Sequence, residues 1–211
     1  MLTATLIGDV VASRRTRDRA DLHEKLTELL TGVNRTCAPT TPLRITVGDE
    51  FQGGFASVGQ ALQASLRLQI GLLPDHEVRH GLGWGEVSVL QDEDPRVEDG
   101  PGWWAARDAI HEVQDAQEHA GTRFRRTAYA PAPGAGGADR DLVEAALVLR
   151  DAAVGGLSER SASVLRGLLS GHTQREIAEE LGISPSAVSQ RVRSDGLAAI
   201  VAADIGLGRV S

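Results

Sequence analysis

Two aspartates stand where strand-like segments end, and their side chains are suited to binding a metal ion. Asp9 follows the apolar run TLIG, and Asp49 lies at the tip of RITVGDEFQGGF, between two apolar runs. Two carboxylates at one end of a sheet can hold Mg²⁺ or Mn²⁺, because these hard cations prefer oxygen ligands and can carry a phosphate group. A purely structural role is the alternative, since Gly and Asp are also the residues that a tight hairpin turn requires.

The elements around these aspartates follow the order strand, helix, strand, strand, helix, strand. Apolar spacing predicts helices that include residues 58–72 and, further on, residues 103–119. This order predicts an α+β sandwich of the ferredoxin-like type, in which the first strand and the hairpin are neighbours. We therefore expect Asp9 and Asp49 at the same end of the sheet, close enough to share one ion. The chain turns into the first helix at this end of the sheet. We expect the backbone amides of Ala12, Ser13 and Arg14 to bind phosphate there.

A break in composition divides the chain. The run APAPGAGGA, residues 130–138, is rich in Gly, Ala and Pro and is typical of a flexible connector. We therefore predict an α+β domain over residues 1–130, a linker over residues 131–138 and a helical DNA-binding domain over residues 139–211.

The last part of the chain carries the signals of a helix-turn-helix. Thr173 and Glu176 form a T-x-x-E capping box, and Ser184 is an N-cap followed by proline at the first helical position. Gly182 supplies the sharp turn between the two helices. This spacing predicts a helix-turn-helix over residues 173–193.

The outward side chains of this motif are of the types that bind DNA. Val188 and Val192 are expected to point inward, whereas Arg can fork onto guanine, Gln onto adenine, and Ser onto phosphate. The residues predicted to contact double-stranded DNA are Thr173, Gln174, Ser184, Ser186, Ser189, Gln190, Arg191 and Arg193. A helical hairpin used for protein contact is the alternative. Operators bound by such motifs have two half-sites related by two-fold symmetry, and we therefore expect a homodimer.

Composition limits the other classes of function. The chain has 211 residues and a net charge of −7, which argues against a protein that coats nucleic acid through a basic surface. From Leu157 to the end there are six Arg and six acidic residues, so the preceding residues carry the whole excess of negative charge. The single cysteine, Cys37, excludes an internal disulfide. With no basic leader and no long apolar segment, we predict a cytoplasmic protein that does not enter a membrane.

The segment GHTQREIAEELGISPSAV resembles the DNA-binding modules of the LuxR type and of sigma factor region four. Their pattern is G-x-[ST]-x-x-E-I-A-x-x-L-x-[IV]-S-x-x-[AT]-V, and this segment satisfies it throughout. The resemblance implies a regulator of transcription.

The first half of the chain resembles the class III nucleotide cyclases and, more distantly, the diguanylate cyclases. The segments that carry the resemblance are DVVAS, GDEF, HGLGWGEV and GPGWWAARDAI. Taken together, GDVVASR, GDEFQG, GLGWGEV and GPGWWAARDAI resemble the SatD family still more closely, a bacterial group in which some members carry a helix-turn-helix tail. The resemblance implies Mg²⁺ or Mn²⁺ bound by Asp9 and Asp49. It also implies nucleotide binding by Val10, Gly48, Glu50 and Arg107, in addition to the amides of Ala12, Ser13 and Arg14.

Two departures from the cyclase pattern favour binding over catalysis. Trp103 stands where the cyclases have an asparagine, and Ile45 where they have a base-reading lysine. A site without these contacts should bind a nucleotide better than it converts one. The leading hypothesis is a transcription regulator whose N-terminal domain dimerises and senses a nucleotide-type ligand. The alternatives are a divergent cyclase or other phosphoryl-transfer enzyme with an attached DNA-binding module, and a regulator whose first domain only dimerises.

Overall fold

The computed structural model describes residues 1–11, 19–94 and 96–211 and contains a mixed sheet followed by a set of helices. The elements are β1 (Leu2–Val10), α1 (Arg19–Cys37), β2 (Thr41–Val47), β3 (Glu50–Phe55), α2 (Val58–Leu72), β4 (Val78–Glu86), β5 (Ser88–Gln91), β6 (Val97–Asp99), α3 (Pro101–Glu118), β7 (Thr127–Pro131), α4 (Arg140–Gly155), α5 (Glu159–Leu169), α6 (Gln174–Leu181), α7 (Pro185–Ser194) and α8 (Leu197–Leu207). Among the helices of these residues, none is long and apolar enough to cross a membrane.

The main sheet has the strand order β2-β3-β1-β4-β7. β1 is antiparallel to both β3 and β4, and β7 runs parallel to β4 at the edge. The order of elements from β1 to β4 is strand, helix, strand, strand, helix, strand, which confirms the predicted α+β class. β4 ends at Glu86, and the following strand, β5, pairs with β6 in a separate two-stranded sheet.

The two faces of the sheet are covered unequally. One face packs against α1, α2 and α4 through a core that includes Leu6, Phe51, Leu82 and Tyr129. The other face is covered by α3, which contacts β4, β7 and β1. Asp9, Glu50 and Arg107 of the predicted metal and nucleotide site lie on this second face, where Arg107 of α3 reaches Glu50 at the start of β3.

Glycines on β4 allow α3 to lie directly on the strand. A Cβ at Gly81 would be 2.1 Å from the Ala106 carbonyl oxygen, and one at Gly83 would be 2.1 Å from the Gly102 oxygen. The Thr5 hydroxyl also donates a hydrogen bond of 2.8 Å to the Gly102 carbonyl. The alternation of glycine in HGLGWG is therefore explained by a close helix approach that any larger side chain would prevent.

The packing crosses the predicted domain boundary. Val143 and Leu147 of α4 belong to the core of the sheet, and residues 131–138 include Ala132, whose amide donates to the Trp84 carbonyl at 2.7 Å. Conversely, Leu66 of α2 packs in the apolar core formed by α5 to α8. The division into residues 1–130, 131–138 and 139–211 stays a prediction, but α4 packs with the sheet rather than apart from it.

A buried ionic pair ties α4 to the sheet. The Arg150 guanidinium donates to the Leu62 carbonyl at 3.1 Å and to the Thr127 hydroxyl at 2.8 Å. Asp151 accepts hydrogen bonds of 2.7 Å from the amides of Arg126 and Thr127. Burial lowers the pKa of Arg150 and raises that of Asp151. Since both groups have several partners, the pair fixes α4 against β7 without leaving an isolated buried charge.

Candidate functional site

Asp9 lies on β1 directly opposite Arg79 of β4, because the antiparallel register pairs these two residues. The Asp9 carboxylate accepts hydrogen bonds from Arg79 Nε at 2.8 Å and Nη2 at 2.6 Å. This is the two-pronged geometry that makes arginine–carboxylate pairs strong. Sequence reasoning missed Arg79, although its position just before the glycine-rich strand would have placed it opposite Asp9 once the register was known.

Asp49 occupies the two-residue turn between β2 and β3. Gly48, the first residue of that turn, has φ of +66°, a conformation that favours glycine. The Asp49 Oδ2 atom accepts a hydrogen bond of 3.1 Å from the amide of Val10. Asp49 therefore approaches the end of β1 as expected, at the residue next to Asp9. This hydrogen bond ties the hairpin turn to the end of β1, and the predicted metal contact of Asp49 stays a prediction.

Glu50 and Arg107 form the second ion pair of the site. Glu50 begins β3, and its two carboxylate oxygens accept from Arg107 Nη1 at 2.7 Å and Nη2 at 2.8 Å. These hydrogen bonds lower the pKa of Glu50 and raise that of Arg107, whose pKa is raised further by the charge of Asp9. Arg107 thus reaches from α3 to the hairpin and closes the site on one side.

We call these five residues the carboxylate cluster: Asp9, Asp49, Glu50, Arg79 and Arg107. Three carboxylates and two guanidiniums leave the cluster with one formal negative charge. Within the described parts of the chain no group of three or more His, Cys, Asp or Glu side chains is placed to hold a metal. Metal binding here would therefore have to use one or two carboxylates and oxygens of the ligand itself, as Mg²⁺ commonly does.

The structure brings together some of the predicted nucleotide-binding residues. Gly48, Glu50 and Arg107 lie at the cluster. The Val10 amide donates a hydrogen bond to Asp49, and the predicted contact of Val10 with a nucleotide stays a prediction. Ala12, Ser13 and Arg14 lie outside the described residues, and their predicted contact with phosphate stays a prediction.

The two adjacent tryptophans of α3 have separate environments. Trp103 is buried beside Ile7 and Val87, and its side chain fills the core between α3 and the sheet. Trp104 is 58% exposed, and its indole Nε1 donates to Asp99 at 2.8 Å. The position that holds an asparagine in cyclases is therefore occupied here by a core side chain.

The helix-turn-helix forms as the capping signals predict. Thr173 caps α6 with a complete capping box, in which the Glu176 carboxylate accepts a hydrogen bond from the Thr173 amide. Gly182 ends α6 with φ of +62°, and Ser184 caps α7 with Pro185 in its first turn. Ile177 and Val188 are buried between the two helices and α5. These contacts orient α7 as the second helix of the motif.

The exposed face of α7 carries polar side chains. Ser186, Gln190 and Arg193 are exposed and recur at helical spacing, while Ser189 is half-buried. Thr173, Gln174 and Ser184 are exposed near the helix starts.

Arg191 differs from expectation. The sequence placed it on the outer surface, but its side chain is only 28% exposed, with Nη1 4.0 Å from the Asp195 carboxylate one turn later. The reason is the spacing of four residues, which puts the two charges on the same side of the helix. Gln190 and Arg193 are therefore more exposed on α7 than Arg191.

The comparisons identify both parts of the chain. Residues 3–129 match the SatD family, and residues 156–194 match the luxR family of bacterial regulatory proteins. Because the first match covers more than half of the chain, the protein belongs to the SatD family. Its C-terminal part carries a helix-turn-helix of the LuxR type. No curated protein matches the chain.

Several solved cyclase structures are similar to this chain. A bacterial light-regulated adenylyl cyclase has a TM-score of 0.48 and 12% identity, over 61% of this chain and 43% of that one. The catalytic core of a rhodopsin-guanylyl cyclase with converted specificity, in complex with ATPalphaS, has a TM-score of 0.45 and 16% identity, over 52% and 71%. The guanylate cyclase domain of RhGC from Catenaria anguillulae, in complex with GTP, has a TM-score of 0.42 and 16% identity, over 52% and 72%. This chain thus spans less than half of the length of the adenylyl cyclase.

Proposed function

We propose that this protein is a dimeric, DNA-binding regulator of transcription whose sheet domain binds a nucleotide-type ligand. The observation that carries the regulatory part is the capped α6–turn–α7 unit within the region that matches the luxR family. Such a unit places its second helix in the major groove, where side chains can read base edges. Its expected place of action is the cytoplasm, where it can reach duplex DNA.

The carboxylate cluster supports the ligand part of the proposal. Asp9 and Asp49 would hold a Mg²⁺ or Mn²⁺ ion carried by the phosphates, and that ion would supply the charge to neutralise the phosphate oxygens. Arg107 would then contact the same phosphates, provided that it exchanges part of its pairing with Glu50. Both oxygens of Asp9 already accept from Arg79, so the ion must use the remaining lone pairs of that carboxylate.

A divergent cyclase or other phosphoryl-transfer enzyme is the second candidate, and the same two aspartates favour it. Against it stands Trp103, because a buried core residue cannot make the contact to the reacting centre that an asparagine would make there. Without that contact, binding energy is not directed to the transition state. We therefore place ligand sensing ahead of catalysis.

An exposed apolar surface on β5, β6 and α3 supports the dimer. We define the hairpin patch as Val89, Leu90, Val97 and Trp104, all of which are more than 40% exposed. Trp104 is joined to the end of β6 through Asp99, and Thr41 of β2 donates to Glu98 of β6 at 2.8 Å. A second copy docked on the hairpin patch would cover these side chains and would place two helix-turn-helix units on the two half-sites of an operator.

Calorimetry tests the ligand site. We expect ATP or GTP with Mg²⁺ to bind the full chain and the Asp49→Asn variant to lose most of this affinity, because asparagine keeps an acceptor for the Val10 amide but loses the charge. Asp115→Asn, on the exposed surface of α3, is the matched control and should bind as the wild type does. Unchanged binding by Asp49→Asn would exclude the carboxylate cluster as the site, and steady release of pyrophosphate would favour the enzyme.

A further inference from the structure

A cleft of about 720 Å³ lies between the sheet domain and the helix-turn-helix region. Its walls are α1 and α2 on one side and α5 on the other. The carboxylate cluster lies on the opposite face of the sheet, under α3, so the cleft is a separate site. Its volume falls within the range that small-molecule sites occupy, and junctions between domains are common places for them.

Part of the inner surface of the cleft is apolar. Leu29 and Val33 of α1, Ile70 and Leu72 of α2 and Leu169 of α5 line it. Gly32 of α1 also lines it, and apart from its chain neighbours and the backbone of α1 itself, no heavy atom of the described residues lies within 4 Å of the place where its Cβ would be. This part of the cleft is therefore open space that an apolar body can fill.

Two arginines cross the cleft in opposite directions. Arg67 of α2 donates to the Leu169 carbonyl at the end of α5, and Arg166 of α5 donates to the Leu73 carbonyl at the end of α2, each at 3.5 Å. Bonds of this length are weak. Arg67 also pairs with Asp204 at 3.3 Å, whereas Arg166 forms no ion pair within the described ranges. Its further contact is the Ser163 hydroxyl at 3.4 Å.

The carboxylates around the cleft limit the charge of a ligand. Glu28 and Glu159 are exposed at its rim, and Asp75 is paired with Lys25 at 3.4 Å. These negative groups would repel a polyphosphate. One unpaired guanidinium beside an apolar surface suits instead a molecule with a single anionic group.

We propose that this cleft binds a small amphiphilic anion, with an apolar body against α1 and α2 and one carboxylate or sulfonate on Arg166. A charged acceptor forms a stronger hydrogen bond than the neutral Leu73 carbonyl, so the anion displaces that long contact. This site goes beyond the proposed function, because it is separate from the carboxylate cluster and requires neither nucleotide nor DNA.

Two related fluorescent probes test the proposal on the full chain. Anilinonaphthalene sulfonate has an apolar ring system with one sulfonate, and phenylnaphthylamine has the same rings without the charge. We expect Gly32→Leu, which fills the open space and favours helix α1, to weaken the binding of both probes by about tenfold or more. Thr31→Leu adds the same side chain one residue away, on the exposed surface of α1, and should leave both affinities unchanged.

A second variant tests the anionic contact. Arg166→Met keeps an unbranched side chain but removes the charge. It should therefore lower the affinity for the sulfonate probe by about tenfold and change the affinity for the neutral probe by no more than about twofold. Equal affinity of Gly32→Leu and Thr31→Leu for both probes would overturn the site. An equal loss of both probes in Arg166→Met would overturn the single-anion specificity. Since no DNA or nucleotide is present, neither result depends on the proposed function.

Discussion

At the scale of single residues, His80 is the clearest case of a polar group without compensation. It is fully buried in β4, and neither ring nitrogen has a hydrogen-bond partner among the residues that the structure describes. Its ring meets Phe51 edge-on, with 5.9 Å between the ring centroids. Burial, with a further effect from the charge of Arg150, lowers its pKa to about 3. His80 is therefore neutral in the folded protein.

This pKa gives a prediction for stability in acid. The unfolded chain takes up a proton on His80 below about pH 6.5, but the folded chain does so only near pH 3, so stability is lost as pH falls through that interval. At pH 5.5 the loss from this group is about 1 kcal/mol relative to neutral pH. His80→Leu should remove this part of the loss and raise the free energy of unfolding at pH 7. Urea unfolding of the wild type and the variant at pH 7 and pH 5.5 measures the loss of unfolding free energy of each protein. An equal loss in the two proteins would contradict the buried, neutral state of His80.

The residues of the carboxylate cluster show how far sequence reasoning reached. Asp9 and Asp49 were identified from their positions at strand ends, and Glu50 and Arg107 from the resemblance to the cyclases, whereas the turn chemistry of Gly48 follows from its type. Arg79 was not identified, because its partner depends on strand register, which the β1 and β4 segments do not specify by themselves. The pairing of Arg107 with Glu50 likewise requires the placement of α3 on the sheet.

At the scale of elements, the helix-turn-helix was predictable because its signals are local. Capping boxes, a left-handed glycine and a proline in the first turn act within a few residues of one another. The orientation of Arg191 could have been predicted in the same way from Asp195, four residues later. The place of α4 could not, since its packing on the sheet depends on contacts far apart in the chain, such as Arg150 with Leu62.

The exposed face of α7 gives a prediction for DNA recognition. Gln190→Ala should weaken binding to a preferred duplex by about 1–3 kcal/mol and have a smaller effect on unrelated duplexes, because glutamine reads adenine through paired hydrogen bonds. Arg191→Ala should have the smaller effect, since that side chain is half-buried beside Asp195. Fluorescence anisotropy with labelled duplexes measures both. A larger loss for Arg191→Ala than for Gln190→Ala would mean that Arg191 leaves Asp195 and reads the base itself.

At the scale of the whole molecule, the two functional regions are joined by shared packing rather than by the connector alone. Leu66 and Ile70 of α2 lie in the core of α5 to α8, and α4 lies in the core of the sheet. Arg67 adds an ion pair with Asp204 of α8. The sheet domain and the helix-turn-helix region are therefore joined through α2, which packs in both cores.

The hairpin patch gives a prediction for assembly. Light scattering should give a mass of about twice 22.3 kDa for the full chain. Leu90→Asp should shift the protein towards the monomer, because it places a charge in the middle of the proposed apolar interface. Leu142→Asp is the matched control, since Leu142 is 72% exposed on α4, away from the hairpin patch. Dissociation by the control variant alone would place the interface on α4 instead.

The most direct test of the proposed regulator is selection of duplexes from a random library by the immobilised full-length protein. We expect enrichment of a two-fold related sequence whose half-sites lie about 10 base pairs apart, or a multiple of that spacing, on one face of the DNA. The double variant Gln190→Ala and Arg193→Ala should enrich no sequence, provided that circular dichroism shows it to be folded. Failure of the wild-type protein to enrich any sequence, or the same enrichment by the double variant, would contradict recognition of DNA through α7.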